Sequence, residues 1–144
     1  MFDNNLVLLD GTVTYDTTND TPATSTTRDA ATGAVVLDLG VGGTPASGLS
    51  AVLILPAADA DADILTAFIE VSDVAAFTSD VHEVGKFDIA AATKGVILGS
   101  ECPATVILRF ATKERYVRLN GTVTAGDDFN LAKCFLTPYA FNVL

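Results

Sequence analysis

The chain has 144 residues and sets 18 acidic side chains against 8 basic ones, a formal net charge of −10. That balance repels phosphate backbones and removes the main source of non-specific nucleic-acid affinity, so no nucleic-acid partner is expected. Although 49% of the residues are hydrophobic, the longest apolar runs, such as Val52 to Leu55, fall far short of a membrane span, and the length suits one domain, 1–144, whose core needs no metal or disulfide framework.

The first residues, Met1-Phe2-Asp3-Asn4-Asn5, have neither the basic nor the apolar region of a secretory signal, so synthesis in the cytosol is the expectation. Leu6 to Leu9 is apolar, Asp10-Gly11 is a hairpin turn signal, and Thr12 to Tyr15 resumes with β-branched and aromatic residues, which predicts an opening hairpin. From Asp16 to Gly33 the composition turns to Thr, Asp, Ser and Ala with one proline, too polar to form a core element. This segment reads as a long loop, either lying on the surface or wrapping a neighbour.

Ala34 to Leu39 and Leu49 to Leu55 read as strands, separated by Gly40, Gly42, Gly43 and Pro45 and stopped by Pro56. Ile64 to Ser72 has period two and places Leu65, Ala67, Ile69 and Val71 on one face. Ser72-Asp73 is placed to cap one helical turn over Val74 to Phe77, and Asp88 to cap another over Ile89 to Lys94 before Gly95. Val81 to Phe87, Thr105 to Phe110, Arg115 to Thr124 and Phe129 to Thr137 supply further strands, with Asn120-Gly121 and Gly126-Asp127-Asp128 as turn or bulge signals. The tail from Tyr139 to Leu144 stays apolar, so it either adds a last strand or docks on another subunit through Tyr139, Phe141 and Leu144. The sum is an all-β, single-domain sandwich, jelly-roll-like, of about eight to ten strands with a long polar N-terminal loop.

Half of the 8 basic residues, Arg109, Lys113, Arg115 and Arg118, fall close together. They predict a positive stripe on one strand pair, either a solvated face or a contact for an acidic protein surface. Signals for chemistry are sparse. His82 stands beside Asp80 and Glu83 with no nucleophile motif. Asp59, Asp61 and Asp63 with Glu70 mimic a calcium loop, but Ile64 replaces its glycine, which favours an acidic solvent loop over a weak cation site. The glycines at 40, 42 and 43 lack the lysine and following helix of a phosphate cradle. Cys102 and Cys134 lack metal or redox spacing and read as buried thiols. Asn19-Asp20-Thr21 and Asn120-Gly121-Thr122 fit the glycosylation pattern but would not meet the enzyme without a signal peptide. No catalytic residue, cofactor or metal is therefore assigned, and an enzyme is not expected.

Three blocks carry a resemblance through their order and spacing: Phe2-Asp3-Asn4-Asn5-Leu6; Glu70-Val71-Ser72-Asp73-Val74-Ala75-Ala76-Phe77-Thr78; and Glu114-Arg115-Tyr116-Val117-Arg118-Leu119-Asn120 followed by Phe129 to Leu136. In that order they resemble the Bbp16-like capsid cement (decoration) proteins of tailed bacteriophages, from position 2 to about 137. The resemblance implies a jelly-roll-like virion protein on the outer surface of the mature head, made in the host cytoplasm, that bridges and stabilises major capsid protein subunits. Its partners would be the major capsid protein and further copies of itself, as a dimer or trimer. On that reading the cations from Arg109 to Arg118 meet capsid carboxylates and the apolar edge or tail joins copies. A carbohydrate-binding adhesin is the alternative, although a chain with no tryptophan and three tyrosines is poorly supplied with rings for stacking sugars; a small hydrolase ranks last.

Overall fold

A computed structural model describes residues 4–56, 65–87, 104–124 and 126–138. After a short 3₁₀ turn at Asn4–Leu6 come eight strands: β1 (Val7–Leu9), β2 (Leu37–Asp38), β3 (Leu49–Leu55), β4 (Leu65–Ser72), β5 (His82–Phe87), β6 (Ala104–Phe110), β7 (Tyr116–Val123) and β8 (Lys133–Pro138). They form two four-stranded sheets, ordered β1-β8-β3-β6 and β2-β7-β4-β5, with every pairing antiparallel. The fold is an all-β sandwich.

Alternation decides which side chains meet between the sheets. Leu49, Ala51, Leu53 and Leu55 of β3 and Cys134 and Leu136 of β8 face Leu65, Ala67, Ile69 and Val71 of β4 and Val117, Leu119 and Val123 of β7, in one buried cluster with Phe87, Phe110 and Phe129. Each large side chain buried here contributes roughly 1.5–3 kcal/mol. The second face of β3 is also closed, since Ser50 and Val52 are buried, and among the described residues the Ser50 hydroxyl has no hydrogen-bond partner. Cys134 is free and buried, and desolvation pushes its thiol well above the ordinary range, where the nucleophilic thiolate is scarce. Cys102 lies outside the described residues.

The predicted opening hairpin does not form. The Asp10 carboxylate accepts hydrogen bonds from the Thr12 amide at 3.0 Å and the Thr12 hydroxyl at 2.7 Å, a side-chain turn of the kind aspartate favours. The chain after it leaves the sheet edge, and β1 pairs with β8 through Val7–Phe135 and Leu9–Cys134. Tyr15 then bonds the chain beyond β7: its amide donates to the Asn130 carbonyl at 2.8 Å, and its carbonyl accepts from the Phe129 amide at 3.0 Å.

Asn120-Gly121, predicted as a turn or bulge, lies inside β7, opposite Phe68 and Ala67. Its glycine answers to a close approach: a Cβ there would overlap the Tyr15 hydroxyl oxygen. The segment Val74 to Phe77 makes a single turn and no helix. Ser72 Oγ accepts from the Val74 amide at 2.9 Å as predicted for a cap, but the backbone reverses at Phe77, whose φ is 53°. Asp88 to Gly95 lies outside the described residues.

The long polar segment from Asp16 to Gly33 is a loop, and its contacts are with its own domain. Asp20 accepts from the Val123 amide at 2.9 Å. Ser25 accepts through its carbonyl from the Val36 amide at 2.9 Å. Arg28 donates to the carbonyls of Val7 and Gly33, each at 2.6 Å.

Candidate functional site

The four clustered cations are separated by the topology. Arg109 belongs to β6 and Arg118 to β7, which lie in different sheets. The predicted stripe on one strand pair therefore does not exist, because the chain crosses from one layer to the other between Phe110 and Tyr116.

Arg115 and Arg118 hold the fold together. Arg115 forms a bidentate pair with Asp38 of β2, Nε to Oδ1 at 2.8 Å and a terminal nitrogen to Oδ2 at 2.6 Å. Its amide also donates to Asp73 Oδ1 at 3.0 Å. The guanidinium fork matches carboxylate geometry, and it fastens the two-residue strand β2 to β7. The Arg115 hydrogen bonds, followed by one from the Gly40 amide, hold the Asp38 carboxyl at about 2. A carboxyl depressed in the folded state stabilises it above the unfolded pKa of about 3.9, and that contribution disappears as pH falls through about 2. Melting temperatures of wild type and Asp38→Asn measured down the acid limb are therefore expected to differ by a constant amount above about pH 4 and to converge toward about pH 2. A difference that persists at the lowest pH would contradict the assignment.

Arg118 is more deeply engaged. It lies directly opposite Glu70 in the β4–β7 register and donates from Nε to Oε2 at 2.8 Å. A terminal nitrogen donates to the Ala23 carbonyl of the long loop at 3.1 Å. Its guanidinium also sits 4.2 Å from the centre of the Phe77 ring, a favourable cation–π geometry. Asn120 donates to the other Glu70 oxygen at 2.8 Å. The Arg118 and Glu70 side chains retain only 11% and 14% exposure. This network clamps the loop and the Phe77 turn onto the outer face of the β2-β7-β4-β5 sheet.

Arg109 is exposed on β6 and Lys113 on the segment that follows it. They flank a shallow depression between β6 with its following loop and the segment from Gly42 to Leu49. His82 is exposed on β5. Asp59, Asp61 and Asp63 lie outside the described residues, as do Tyr139, Phe141 and Leu144. Among the described residues no group of three or more His, Cys, Asp or Glu side chains is placed to hold a metal ion, and no helix is long and apolar enough to cross a membrane.

No family model and no curated protein matches this chain.

The strand edges supply the feature that sequence reading missed. β1 has three residues and an irregular register. β2 has two residues. β5 carries a register shift against β4 and exposes His82, Glu83 and Lys86. Short length, bulges and charge are the usual means of preventing a sheet edge from pairing with another chain. β6 is neither short nor bulged: its seven residues run in unbroken register with β3, its one charge is Arg109, and Ile107 is 49% exposed. Among the described residues β6 pairs with β3 alone. The signal was present in Ala-Thr-Val-Ile-Leu-Arg-Phe, but a sequence does not say which strands become edges.

Proposed function

We propose that this protein is a capsid cement, or decoration, protein that binds the outer surface of a phage head and bridges major capsid protein subunits. The observation that carries the reading is the β6 edge, a seven-residue strand in unbroken register that pairs, among the described residues, with β3 alone and carries one charge, Arg109. Such an edge suits a chain whose working state is an assembly. A jelly-roll connection of the sandwich, association of copies into a dimer or trimer, synthesis in the host cytoplasm and residence in the virion belong to the same proposal. A cement protein needs no active site. It works through rigid surfaces repeated many times over a shell, where simultaneous weak contacts multiply. The clamps at Asp38–Arg115 and Glu70–Arg118 support this, because holding loops in place before binding lowers the ordering cost of association.

The test is to incubate the purified protein with mature, expanded heads that lack it and to count bound copies. Saturation at a fixed ratio to the capsid subunit is the expected result. Absence of binding to heads together with recognition of sugars on a glycan array would overturn the proposal in favour of an adhesin.

A further inference from the structure

We infer that this protein pairs with a second copy of itself through the chain tip at Val41, each copy seating that valine in the cleft beside the other's tip. The inference deepens the cement reading, on which its purpose rests, by naming the surface through which copies associate. Gly40 to Gly43 is a four-residue turn, in which the Gly43 amide donates to the Gly40 carbonyl at 3.2 Å. Gly42, third in the turn, takes φ 99°, the left-handed geometry that a type II turn reserves for glycine. Val41 occupies the corner and is 95% exposed, more than any other large hydrophobic side chain among the described residues. A Cβ on Gly40 or Gly42 would meet nothing within 4 Å, so the valine stands clear of its own chain on both sides.

The stem below the tip is fastened at both ends. Asp38 accepts from the Gly40 amide at 2.8 Å and is itself gripped by Arg115. On the other side the Thr44 amide and hydroxyl donate to the Thr112 carbonyl at 3.0 and 3.2 Å, and the Thr112 amide donates back to Thr44 Oγ1 at 3.1 Å. Gly43, at φ 72°, lies so close to the backbone of Thr112 to Glu114 that any Cβ would overlap it. The valine is therefore held in position before a partner arrives, which lowers the ordering cost of binding.

A receiving cleft adjoins the tip. It has a volume of about 510 Å³, begins at Gly42, next to the valine, and runs along Pro45, Ala46 and Ala111. A second cleft of about 420 Å³ continues from Ala46 and Ala111 to Leu49 and Phe110. Val41, being almost wholly exposed, does not fill the cleft of its own chain. A knob and a cleft side by side on one face are self-complementary: a two-fold axis between them brings each valine over the other copy's cleft, and the contact closes at two copies. Charge favours a like copy at this face. Two molecules of net charge −10 repel each other, so their contact falls where acidic side chains are scarce. The sequence has none from Leu39 to Leu49 and none from Phe110 to Lys113. The carboxylates that bound these stretches are engaged elsewhere, Asp38 by Arg115 and Glu114 by Asp73.

Sedimentation equilibrium of the purified protein is expected to show a reversible dimer. Val41→Ser takes two valines out of each dimer and is expected to raise its dissociation constant about a hundredfold. Ala111→Arg, which fills the cleft, is expected to weaken pairing as well. Both variants should keep the wild-type melting temperature, since both side chains are exposed. Cross-linking locates the contact. Val41→Cys and Ala111→Cys proteins, each also carrying Cys102→Ser so that only the buried Cys134 accompanies the new thiol, are mixed and oxidised. A disulfide-linked pair is expected from the mixture and from neither protein alone. A monomer at every concentration, a dimer indifferent to Val41→Ser, or a mixture that does not cross-link would overturn the inference. Heads separate the two claims. If wild type is monomeric yet decorates heads, the pairing is wrong and the cement reading stands; if the mixture cross-links but wild type leaves heads bare, the cement reading is wrong and the pairing stands.

Discussion

Replacing Arg118 with alanine is expected to destabilise the folded protein by about 3–5 kcal/mol, the range seen when one partner of a buried ion pair is removed. The magnitude follows from what is left behind. Glu70, with 14% of its side chain exposed, would keep only the Asn120 amide on one oxygen, with its charge largely cut off from water. The Ala23 carbonyl would lose its donor, and the Phe77 ring its cation. At ~2–4 °C per kcal/mol for a domain of this size, the melting temperature falls by about 6–20 °C. Adding Glu70→Gln removes the stranded charge, so the double variant is expected to recover part of the loss. Trypsin cleavage after Arg28 should accelerate in the single variant, because the loop is then held by fewer bonds. A loss below about 1 kcal/mol would show that the pair behaves like an exposed surface bridge.

Gly121→Ala is expected to cost about 1–3 kcal/mol, the usual range for overpacking a filled core. The new methyl would overlap the Tyr15 hydroxyl oxygen, with the ring carbons next at 3.1 and 3.3 Å. Tyr15 has no easy retreat: it is 5% exposed and its backbone is bonded on both sides to Phe129 and Asn130. Tyr15→Phe removes the colliding oxygen and leaves ring contacts that small shifts accommodate. Gly121→Ala is therefore expected to be milder in the Tyr15→Phe background than in wild type, with a coupling of about 1 kcal/mol in a denaturant double-mutant cycle. Strict additivity would show that the glycine is required for a reason other than Tyr15.

These two positions also mark where sequence reading succeeds and where it stops. Alternation and local breakers located strands well: Leu49 to Leu55 follows the breakers at Gly40, Gly42, Gly43 and Pro45 and is stopped by Pro56, and β3 occupies that span. The apolar face of β4 was read correctly from Leu65 to Val71. Two-residue turn signals were less secure, because the same local chemistry serves other ends. Asp10-Gly11 makes a turn that leads away from the sheet, and Asn120-Gly121 lies inside a strand where a ring from elsewhere needs room. In each case the deciding partner is remote: β8 for β1, and Tyr15 for Gly121. The cations were misgrouped for the same reason. Arg109 and Arg118 are near in sequence but belong to opposite layers, and the partner that engages Arg118 lies 48 positions away. Which of the four cations line a surface depression became visible only once the strands were assigned to sheets.

Thermal rupture of mature heads, recorded with and without saturating amounts of the protein, tests the cement proposal most directly. The account predicts a higher rupture temperature for decorated heads, rising with occupancy and reaching its limit when binding saturates. Heads that bind the protein at a fixed ratio yet rupture at the same temperature as bare ones would contradict it.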